Sequence, residues 1–316
     1  MQAGLVVVTG DSGFLGHYVA LRLCRAGYRV LGVSRRATNT EATGVSYMQV
    51  KLNLEDPACV DELTRQAGGQ VKAIVHFAAA LPASFGTPEA EVCAQKNLRM
   101  DEHILRVCER LACSLVYGST ASVYSTHSAG LKTEDSQIDP YEPYAREKLT
   151  IEQEAHRRFN GAAPVFTGLR ITAPYGPYQK VRTVVKIFLE RALQNQPLLY
   201  HGTGAREQDF IHAADVAEAV LCSIERPISG VFNIGFGAPV TMRKLAEITT
   251  RSIPGCTSEV RVSGLADPQE PRYASISIAK ACSQLGWKPK MMLERGIYQW
   301  AELLRDGAQH ANCAPV

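Results

Sequence analysis

Near its beginning the chain reads Leu5-Val6-Val7-Val8-Thr9-Gly10-Asp11-Ser12-Gly13-Phe14-Leu15-Gly16. The first four residues form a short apolar run, which is typical of a strand buried on both faces. Three glycines follow at the spacing GxxGxxG. Gly10 permits a tight turn, Gly13 lets the backbone approach a pyrophosphate, and Gly16 lets a helix pack closely on the strand. The stretch therefore predicts a strand, a phosphate-binding turn and a helix whose N-terminus faces the phosphates.

Short apolar runs and helical patterns alternate through the first half of the chain. Gly27 is expected to end the first helix as a left-handed cap, and Asp56 followed by Pro57 marks the start of another. The predicted elements are a strand at Tyr28–Val33, a strand at Val45–Leu52, a helix at Pro57–Gln66, a strand at Val71–Phe77, a helix at Asn97–Leu111 and a strand at Ser114–Ser119. This alternation predicts a parallel sheet with helices on both faces.

The second half of the chain is less regular, and Pro and Gly interrupt it often. Strand-like and helical runs are predicted at Val165–Ile171, Val184–Gln194, Asp215–Ile224 and Val231–Ile234. We expect residues 1–172 to form a dinucleotide-binding domain, with later sheet elements near residues 209–236. Residues 173–316 would mainly form a smaller lobe that caps the carboxyl ends of the strands, where open α/β sheets bind ligands.

Composition excludes several classes of function. The 316 residues are 46% hydrophobic, and their net charge of +3 gives no basic footprint for nucleic acid. No apolar run reaches the ~18 residues of a membrane span, and the first residues lack the basic region of a signal peptide. Nine Cys without a CxxC pair fit neither a metal site nor a disulfide framework. We expect a cytoplasmic α/β protein with no metal.

Tyr144 and Lys148 have the spacing of a catalytic pair. Four positions apart in a helix that begins near Pro143, they share one helix face. A neighbouring ammonium favours the phenolate, so we expect Lys148 to lower the pKa of Tyr144 from its ordinary value of about 10. Tyr144 is thus a candidate general acid/base. Thr120 follows the last predicted strand of the first half and is placed to bond the substrate oxygen that gains or loses the proton.

These motifs resemble those of the extended short-chain dehydrogenases/reductases of the NAD-dependent epimerase/dehydratase family. The resemblance covers nearly the whole chain and rests on Thr9–Gly16, His76–Ala79, Asn97, Thr120, Tyr144 with Lys148, Leu169–Pro177, Asp209–His212, Asp215–Ala217 and Leu285–Pro289. It implies an α/β fold, with a Rossmann-type doubly wound parallel sheet and a smaller C-terminal substrate-binding lobe. It also implies a catalytic trio of Thr120, Tyr144 and Lys148, in which Lys148 holds the nicotinamide ribose as well.

The resemblance places a dinucleotide along the carboxyl ends of the first strands. The implied cofactor-binding residues are Gly10, Ser12, Gly13, Phe14, Leu15, Gly16, Ser34, Arg35, Arg36, Asn53, Leu54, Phe77, Ala78, Ala79, Asn97, Tyr144, Lys148 and Ile171. NAD-using relatives carry an Asp where this chain has Ser34. The loss of that carboxylate and the gain of Arg35 and Arg36 suit a 2′-phosphate. We therefore expect NADP(H); NAD(H) stays open if both arginines are only solvated.

The neighbours of Thr120 bear on the reaction. Dehydratases of the family carry an acid pair at the positions of Ala121 and Ser122, so we expect epimerisation by transient oxidation, or ketone reduction, rather than dehydration. Members that use sugar nucleotides have an Asn and an Arg where this chain has Ala173 and Gln208. The candidate substrate residues are Thr120, Ala173, Arg206 and Gln208, and further charge is available from Lys180, Arg182, Lys186 and Arg272.

The leading hypothesis is an NADP(H)-dependent oxidoreductase or epimerase that acts by hydride transfer on a sugar, nucleotide-linked as in the relatives. One alternative is an epimerase that retains NAD and shows no net redox, and another is a non-catalytic protein that senses a dinucleotide. A sugar without a nucleotide, or another small hydroxy or keto compound, stays open as substrate. The resemblance also implies a homodimer built from the helices at Asn97–Leu111 and Lys148–Phe159. Neither nucleic acid nor a membrane is an expected partner.

Overall fold

The computed structural model describes residues 3–36, 46–83, 86–125, 129–159, 161 and 163–311. In the first half of the chain the elements are β1 (Ala3–Thr9), α1 (Phe14–Arg25), β2 (Tyr28–Ser34), β3 (Tyr47–Lys51), α2 (Cys59–Ala67), β4 (Val71–His76), α3 (Pro88–Leu111), β5 (Ser114–Thr120), α4 (Pro143–Arg158) and β6 (Phe166–Ile171). A 3-10 turn at Ala121–Val123 follows β5. Val45, the first residue of one predicted strand, lies outside the described residues.

The elements of the second half are shorter, as the frequent Pro and Gly residues indicate. They are β7 (Ala173–Tyr175), α5 (Val184–Leu193), β8 (Leu198–Tyr200), β9 (Glu207–Gln208), β10 (Phe210–His212), α6 (Ala213–Glu225), β11 (Gly230–Ile234), β12 (Val240–Thr241), α7 (Met242–Ser252), β13 (Val260–Val262) and α8 (Leu293–Ala311). A π-helical turn at Ala281–Leu285 precedes α8.

Seven parallel strands form the central sheet, in the order β11-β6-β5-β4-β1-β2-β3. β1 pairs with β2 on one side and with β4 on the other, so the strand order reverses at β1. Sheets of this type bind ligands outside the carboxyl ends of the strands at such a reversal. The predicted doubly wound parallel sheet is confirmed.

Helices cover both faces of this sheet. α1 and α6 pack on one face, over a core that includes Val6, Val8 and Phe232. α2, α3 and α4 pack on the other face, over Val7 and Leu115. Successive residues of β1 thus point into opposite cores. Because both cores exclude water, the strand is apolar along its length, which is the pattern that the sequence shows.

Two helices in the first half of the chain begin at residues other than those the sequence predicts. α3 begins at Pro88 rather than Asn97, because the fixed φ of a proline suits the first helical position. α2 begins at Cys59 rather than Pro57. The Asp56 carboxylate accepts a hydrogen bond from the backbone N–H two residues on (2.9 Å), and this contact holds the residues before Cys59 as a turn. Apolar periodicity therefore located both helices but not where they begin.

Most residues after 172 build a smaller lobe with its own core. α5, α7 and α8 pack around Phe188, Leu245 and Trp300, and the lobe also contains the strand pairs β7–β10, β8–β13 and β9–β12. β11 instead returns to the central sheet beside β6. The domain boundary at residue 172 stays a prediction. Among the helices that the structure describes, none is both long and apolar enough to cross a membrane.

Candidate active site

The glycine turn lies at the carboxyl end of β1. Gly10 has a φ of +71°, in the left-handed region, and its N–H donates to the carbonyl of Val33 on β2 (2.8 Å). A Cβ on Gly10 would lie 2.7 Å from the backbone nitrogen of Ala78, and one on Gly16 would overlap the carbonyl oxygen of Gly10. The first turn of α1, which the structure describes in full, contains no acidic side chain. The free N–H groups of a helix N-terminus favour a nearby negative charge, and because no side chain of this turn supplies one, they can receive an anion.

A cleft of about 300 Å³ extends from this turn along the carboxyl edge of the sheet. Ten of the predicted cofactor residues line it, namely Gly10, Ser12, Gly13, Ser34, Arg35, Arg36, Leu54, Phe77, Ala78 and Ala79. Further lining residues are Val33, Leu52, Glu55, Ala80, Met100 and Lys180; sequence reasoning named only Lys180, as a source of charge for the substrate. Among these, Lys180 comes from the smaller lobe and adds a third cation to Arg35 and Arg36.

The other predicted cofactor residues lie around the cleft without lining it. They are Phe14, Leu15, Gly16, Asn53, Asn97, Tyr144, Lys148 and Ile171. Asn97 is fully buried, and its side chain donates to the carbonyl of Ala80 (3.1 Å) and accepts from its N–H (2.7 Å). Asn53 is exposed and accepts from the N–H of Glu55 (3.3 Å). Asn97 therefore binds the backbone of Ala80 in the wall of the cleft rather than a ligand inside the cleft.

Ser34 ends β2, at the position where NAD-using relatives carry an Asp. Its hydroxyl donates to the carbonyl of Arg36 (2.8 Å) and accepts from the amide of Gln49 (3.0 Å). The serine thus shapes the turn that presents Arg35 and Arg36, both of which are exposed. At this end of the cleft the arginine side chains set the charge.

Asp11 brings a carboxylate to the same region, which sequence reasoning missed. It is buried, and its Oδ2 accepts from the hydroxyl of Tyr47 and from the amide of Gln49 (2.9 Å). The same oxygen lies against Gly32, where a Cβ would overlap it. The carboxylate is therefore directed toward β2 and β3. Its hydroxyl partner is 36 residues away in sequence, so local patterns do not reveal this contact.

Tyr144 and Lys148 lie one turn apart on α4. Pro143 takes the first position of this helix. The Lys148 ammonium lies 5.5 Å from the centre of the Tyr144 ring, and Lys148 is buried while Tyr144 is half-buried. α4 packs against β5 and the 3-10 turn that follows it. The pair therefore stands at the same end of the sheet as Thr120, the last residue of β5.

The pKa of Tyr144 is raised, not lowered as the spacing predicts. Burial is the largest cause; the Lys148 ammonium acts in the opposite direction, and the carboxylates of Glu147 and Asp101 raise the pKa further. The expectation counted the cation on the same helix face and missed both acids. How readily the phenolate forms thus depends on the charge of these two acids.

A buried cluster of ionisable side chains lies behind Lys148. The Lys148 ammonium nitrogen is 3.0 Å from the hydroxyl oxygen of Tyr117 and 3.5 Å from Oε1 of Glu147. The same hydroxyl is 2.8 Å from Oδ2 of Asp101 and 3.1 Å from Oε1 of Glu147. The ring Nε2 of His76 is 2.6 Å from the other oxygen of Asp101. β4, β5, α3 and α4 each contribute to this cluster.

Burial and charge act against one another in this cluster. Burial raises the pKa of Glu147 to about 8, although the Lys148 cation opposes the shift. Burial also disfavours ionised Asp101, but the charge of Lys148 and the hydrogen bond from His76 outweigh it and lower the pKa of Asp101. Burial alone would lower the pKa of Lys148, and the two acids raise it. The site therefore keeps Lys148 charged.

A second cavity, of about 70 Å³, lies where β5 and β6 end. The predicted substrate residues Ala173 and Gln208 line it, as do Ala121 and Ser122. Thr120 directly precedes this lining. Its side-chain oxygen accepts from the N–H of Ser122 (3.1 Å), so its own proton can be donated to another oxygen. The role predicted for Thr120 requires such a donated hydrogen bond, to an oxygen of the substrate.

Two basic side chains reach this cavity, Lys132 and Arg272. Lys132 is buried, and burial lowers its pKa. Burial and the charge of Arg206 lower the pKa of Arg272, whose Nε has no hydrogen-bond partner among the described residues. Arg206 itself, a predicted substrate residue, does not line the cavity and pairs with Asp267 (2.7 Å). Arg272, predicted as a source of further charge, thus lines the cavity, whereas Arg206 does not.

Asp209 and Ile171 also line this cavity. The Asp209 carboxylate accepts from the hydroxyl of Thr172 (3.1 Å) and from the N–H groups of Phe236 and Gly237 (2.7 Å each). These donors hold the acid against the loop after β11. Ile171, predicted as a cofactor residue, lines this cavity and not the larger cleft.

Comparison with known proteins identifies the family. A model of the NAD dependent epimerase/dehydratase family matches residues 6–235, a range that holds the glycine turn and the Tyr144–Lys148 pair. The chain belongs to this family. The resemblance inferred from the motifs is confirmed, and the family is one of NAD-dependent enzymes.

Two curated relatives and one solved structure show how far the similarity of this family member extends. The dTDP-glucose 4,6-dehydratase of Streptomyces niveus is 27% identical over 320 residues, which cover 95% of this chain and 93% of that protein. UDP-glucuronic acid decarboxylase 2 of Arabidopsis thaliana is 25% identical over 310 residues, which cover 92% of this chain but 66% of the decarboxylase. The chain therefore spans about two thirds of that relative's length.

The solved structure of UDP-glucose 4-epimerase from Thermotoga maritima has the same fold. Its TM-score is 0.84 at 24% identity, with 96% of this chain and 99% of that chain covered. Dehydratases, decarboxylases and epimerases thus all stand among the relatives of this family member.

Proposed function

We propose that this protein is an NADP(H)-dependent oxidoreductase or epimerase that acts on a sugar nucleotide by hydride transfer, with Tyr144 as acid/base. The observation that carries the proposal is the placement of Tyr144 one turn from the buried ammonium of Lys148. Both stand at the sheet edge where the larger cleft and the smaller cavity are found. A phenol beside a fixed cation is suited to move a proton at that edge.

The residues of the larger cleft fit a dinucleotide. Around Gly10 the backbone forms a cradle that a side chain would fill, and the first N–H groups of α1 can bind the phosphates. The nicotinamide of such a cofactor would supply the hydride chemistry. Lys148 would hold the adjoining ribose, because its ammonium can donate three hydrogen bonds.

Tyr144 and Thr120 would act together on one substrate oxygen. In oxidation, the substrate hydroxyl gives its proton to the Tyr144 phenolate while its carbon gives up a hydride; in reduction the Tyr144 hydroxyl returns the proton. Thr120 donates a hydrogen bond to that oxygen, and the Lys148 cation stabilises the phenolate. Epimerisation is the two half-reactions in succession, with the hydride returned to the opposite face of the carbon.

Three cations support NADP(H) over NAD(H). Arg35, Arg36 and Lys180 line the same cleft, whereas Asp11 is not among its lining residues and its carboxylate accepts from Tyr47 and Gln49. Replacing Arg35 and Arg36 together by Ser should weaken NADPH binding roughly 10- to 100-fold, and NADH binding much less, because two charge-assisted bonds are lost. Arg29→Ser, an exposed position on the same strand, is the control. An equal loss for both dinucleotides would contradict the preference.

The smaller cavity supports epimerisation or reduction over dehydration. Ala121 and Ser122 line it where dehydratases of the family carry an acid pair. Asp209 is the carboxylate within the described lining, and three donors already bind it. An elimination that needs a free acid and base beside the sugar therefore has no evident carboxylate pair among these lining residues.

A nucleotide-linked substrate is supported by charge and by the relatives. The relatives named above act on dTDP- and UDP-sugars. Arg272 brings an Nε without a partner among the described residues to the cavity, and Lys132 brings a buried ammonium. An anionic group of the substrate would satisfy the Arg272 Nε, and the charge of Lys132 would favour it.

Replacing Tyr144 by Phe tests the proposal directly. Turnover of UDP- and dTDP-sugars should fall by roughly 10²- to 10⁴-fold, while dinucleotide binding should stay nearly intact. Tyr141→Phe is a matched control, because Tyr141 is 84% exposed just before α4. Unchanged turnover in the Tyr144 variant would refute its role as acid/base.

The nucleotide released on denaturing the purified protein separates the remaining candidates. Oxidised dinucleotide retained through purification indicates a self-recycling epimerase, and its mass shows whether the extra phosphate is present. An empty protein that prefers added NADPH indicates a reductase. Binding of a dinucleotide without any turnover would indicate a sensor.

We further infer a homodimer through α3 and α4, which pack side by side. The two helices are joined by Arg158, which pairs with Glu102 (2.6 Å), and they would form half of a four-helix bundle. Sedimentation should show a dimer, and a monomer at micromolar concentration would contradict this inference.

A further inference from the structure

We propose that Asp101 and Glu147 hold one proton between them, and that this acid pair, acting through Lys148, sets how readily Tyr144 gives up its own proton. The inference rests on the proposed role of Tyr144 as acid/base. Neither acid is among the residues that line the cleft or the cavity. Both are therefore positioning residues, which act on the chemistry through Lys148.

The Tyr117 hydroxyl determines how many protons the pair carries. Around its oxygen lie the Lys148 nitrogen at 3.0 Å, an oxygen of Asp101 at 2.8 Å and an oxygen of Glu147 at 3.1 Å. A phenol hydroxyl donates one hydrogen bond and accepts up to two. Lys148 can only donate. All three contacts are hydrogen bonds only if Tyr117 donates to one acid and accepts from the other in its protonated form.

His76 indicates that Asp101 is the ionised member. The Thr9 side-chain oxygen accepts from the N–H of Ala78 (3.2 Å) and lies 2.5 Å from Nδ1 of His76, to which it can donate its own proton. In this tautomer Nε2 carries the imidazole proton and donates it to Asp101 at 2.6 Å. Asp101 then accepts from both His76 and Tyr117, a pattern that stabilises a carboxylate.

Glu147 is thereby the member that carries the proton. Its Oε1 faces Tyr117 at 3.1 Å, and its Oε2 accepts from the Asn97 amide at 3.2 Å. This is the arrangement of a neutral carboxyl group, with a donating O–H on one oxygen and an accepting carbonyl on the other. Burial raises the pKa of Glu147 to about 8, in agreement with this count.

The charges of the titratable groups that face Glu147 then balance. From α4 they are Lys148 and Tyr144, from α3 Asp101, from β5 Tyr117, and behind Asp101 lies His76 of β4. The charge on Lys148 is matched by that on Asp101. Asp101 and Glu147 are 1% and 2% exposed. A second negative charge in so dry a site would have to share the one ammonium of Lys148, and like charges within one buried site resist joint ionisation.

The charge of the pair reaches Tyr144 through Lys148. The ammonium nitrogen lies 3.5 Å from Glu147 and 5.5 Å from the centre of the Tyr144 ring. While Glu147 is neutral, one carboxylate offsets the cation. Once Glu147 ionises, two carboxylates do so, and the Tyr144 phenolate becomes harder to form. Removing either acid should therefore lower the pH at which Tyr144 ionises.

The test is to measure the ionisation of Tyr144 in three proteins. It is followed as the part of the phenolate ultraviolet absorbance that Tyr144→Phe abolishes, without substrate or cofactor. In Glu147→Gln, whose amide reproduces the neutral state, Tyr144 should ionise about one pH unit lower than in the wild type. Asp101→Asn should shift it in the same direction, because one carboxylate then remains. The pH profile of turnover should shift equally.

Glu154→Gln is the matched control, since Glu154 lies on the same helix and pairs with Arg157 and Arg158 near the surface. It should leave the ionisation of Tyr144 where it is. If folded Glu147→Gln and Asp101→Asn proteins both ionise Tyr144 at the wild-type pH, the inference is wrong. That result leaves the proposed function intact, because the loss of turnover in Tyr144→Phe is judged separately. Conversely, a shift without turnover of any sugar nucleotide refutes only the proposed function.

Discussion

Glu147 and Glu152, on successive turns of α4, are both buried, and their carboxyl groups are neutralised in different ways. Glu152 faces Arg170, whose Nη2 lies 2.7 Å from one carboxylate oxygen and whose Nε lies 3.1 Å from the other. Glu147 has no such fork and shares Lys148 with Asp101. A planar guanidinium on a carboxylate fixes both charges in place. One ammonium between two acids leaves the position of a proton adjustable.

The partners of the two cations extend this difference. Arg170 also donates to the hydroxyl of Tyr124 (2.8 Å) and to the carbonyl of Glu134 (3.2 Å), so it joins β6 to the segment between β5 and α4. Lys148 instead adjoins Tyr144. The same helix thus contributes one charged pair that holds the fold together and one that can respond to pH beside the reacting group.

The largest expected effect is on the stability that Arg170 and Glu152 provide; we call these two residues the fixed pair. Arg170→Met leaves Glu152 buried without a cation and should lower the free energy of unfolding by about 3–5 kcal/mol, measured by urea denaturation. Arg146→Met, which removes an exposed arginine 3.5 Å from Glu91, should cost less than ~1 kcal/mol. If the two variants lose equal stability, the buried pair of Arg170 and Glu152 does not hold the fold together as described.

A smaller loss of stability is expected for the two acids that share Lys148, Asp101 and Glu147, which we call the adjustable pair. Asp101→Asn also removes the charged partner of a buried cation, yet Glu147 can then ionise and replace it. We expect the free energy of unfolding of Asp101→Asn to fall by about 1–3 kcal/mol, which is less than the fall for Arg170→Met. The double variant with Glu147→Gln removes both acids and should cost more than the sum of the single changes. Additive losses would mean that the acids do not share a proton.

The smallest effect concerns pH. Glu147 binds its proton more tightly in the folded chain, because its pKa is raised from 4.5 to about 8. As the pH rises through this window, the unfolded chain loses the proton first, so stability falls. Glu147→Gln has no such proton. Relative to the wild type it should gain about 1 kcal/mol or more in urea denaturation between pH 5 and 8; a constant difference would count against the raised pKa.

The sequence predicted those parts of the site whose geometry a single element determines. The turn from Gly10 to Gly16 and the pair formed by Tyr144 and Lys148 depend on spacings within one turn or one helix. Such spacings constrain the backbone wherever the chain folds into that element. The parallel sheet with helices on both faces followed in the same way from the alternation of strands and helices.

The charges at the site depend on contacts that spacing does not contain. Asp101 meets His76 across 25 residues, and Lys148 meets Tyr117 across 31. The direction of the shift in the pKa of Tyr144 follows from these contacts, which is why the expectation was wrong. Both Arg206 and Arg272 were predicted to supply charge to the substrate, and only the pairing of Arg206 with Asp267, 61 residues away, separates them.

β11 lies beside β6 in the central sheet, although the chain reaches it only after it has begun the smaller lobe. The two lobes are therefore not exchangeable modules. A fragment that ended at residue 172 would expose the backbone edge of β6, ready to pair with another copy. A substrate lobe could be transplanted between relatives only by cutting the chain in more than one place, so that α6 and β11 stay with the sheet that they complete.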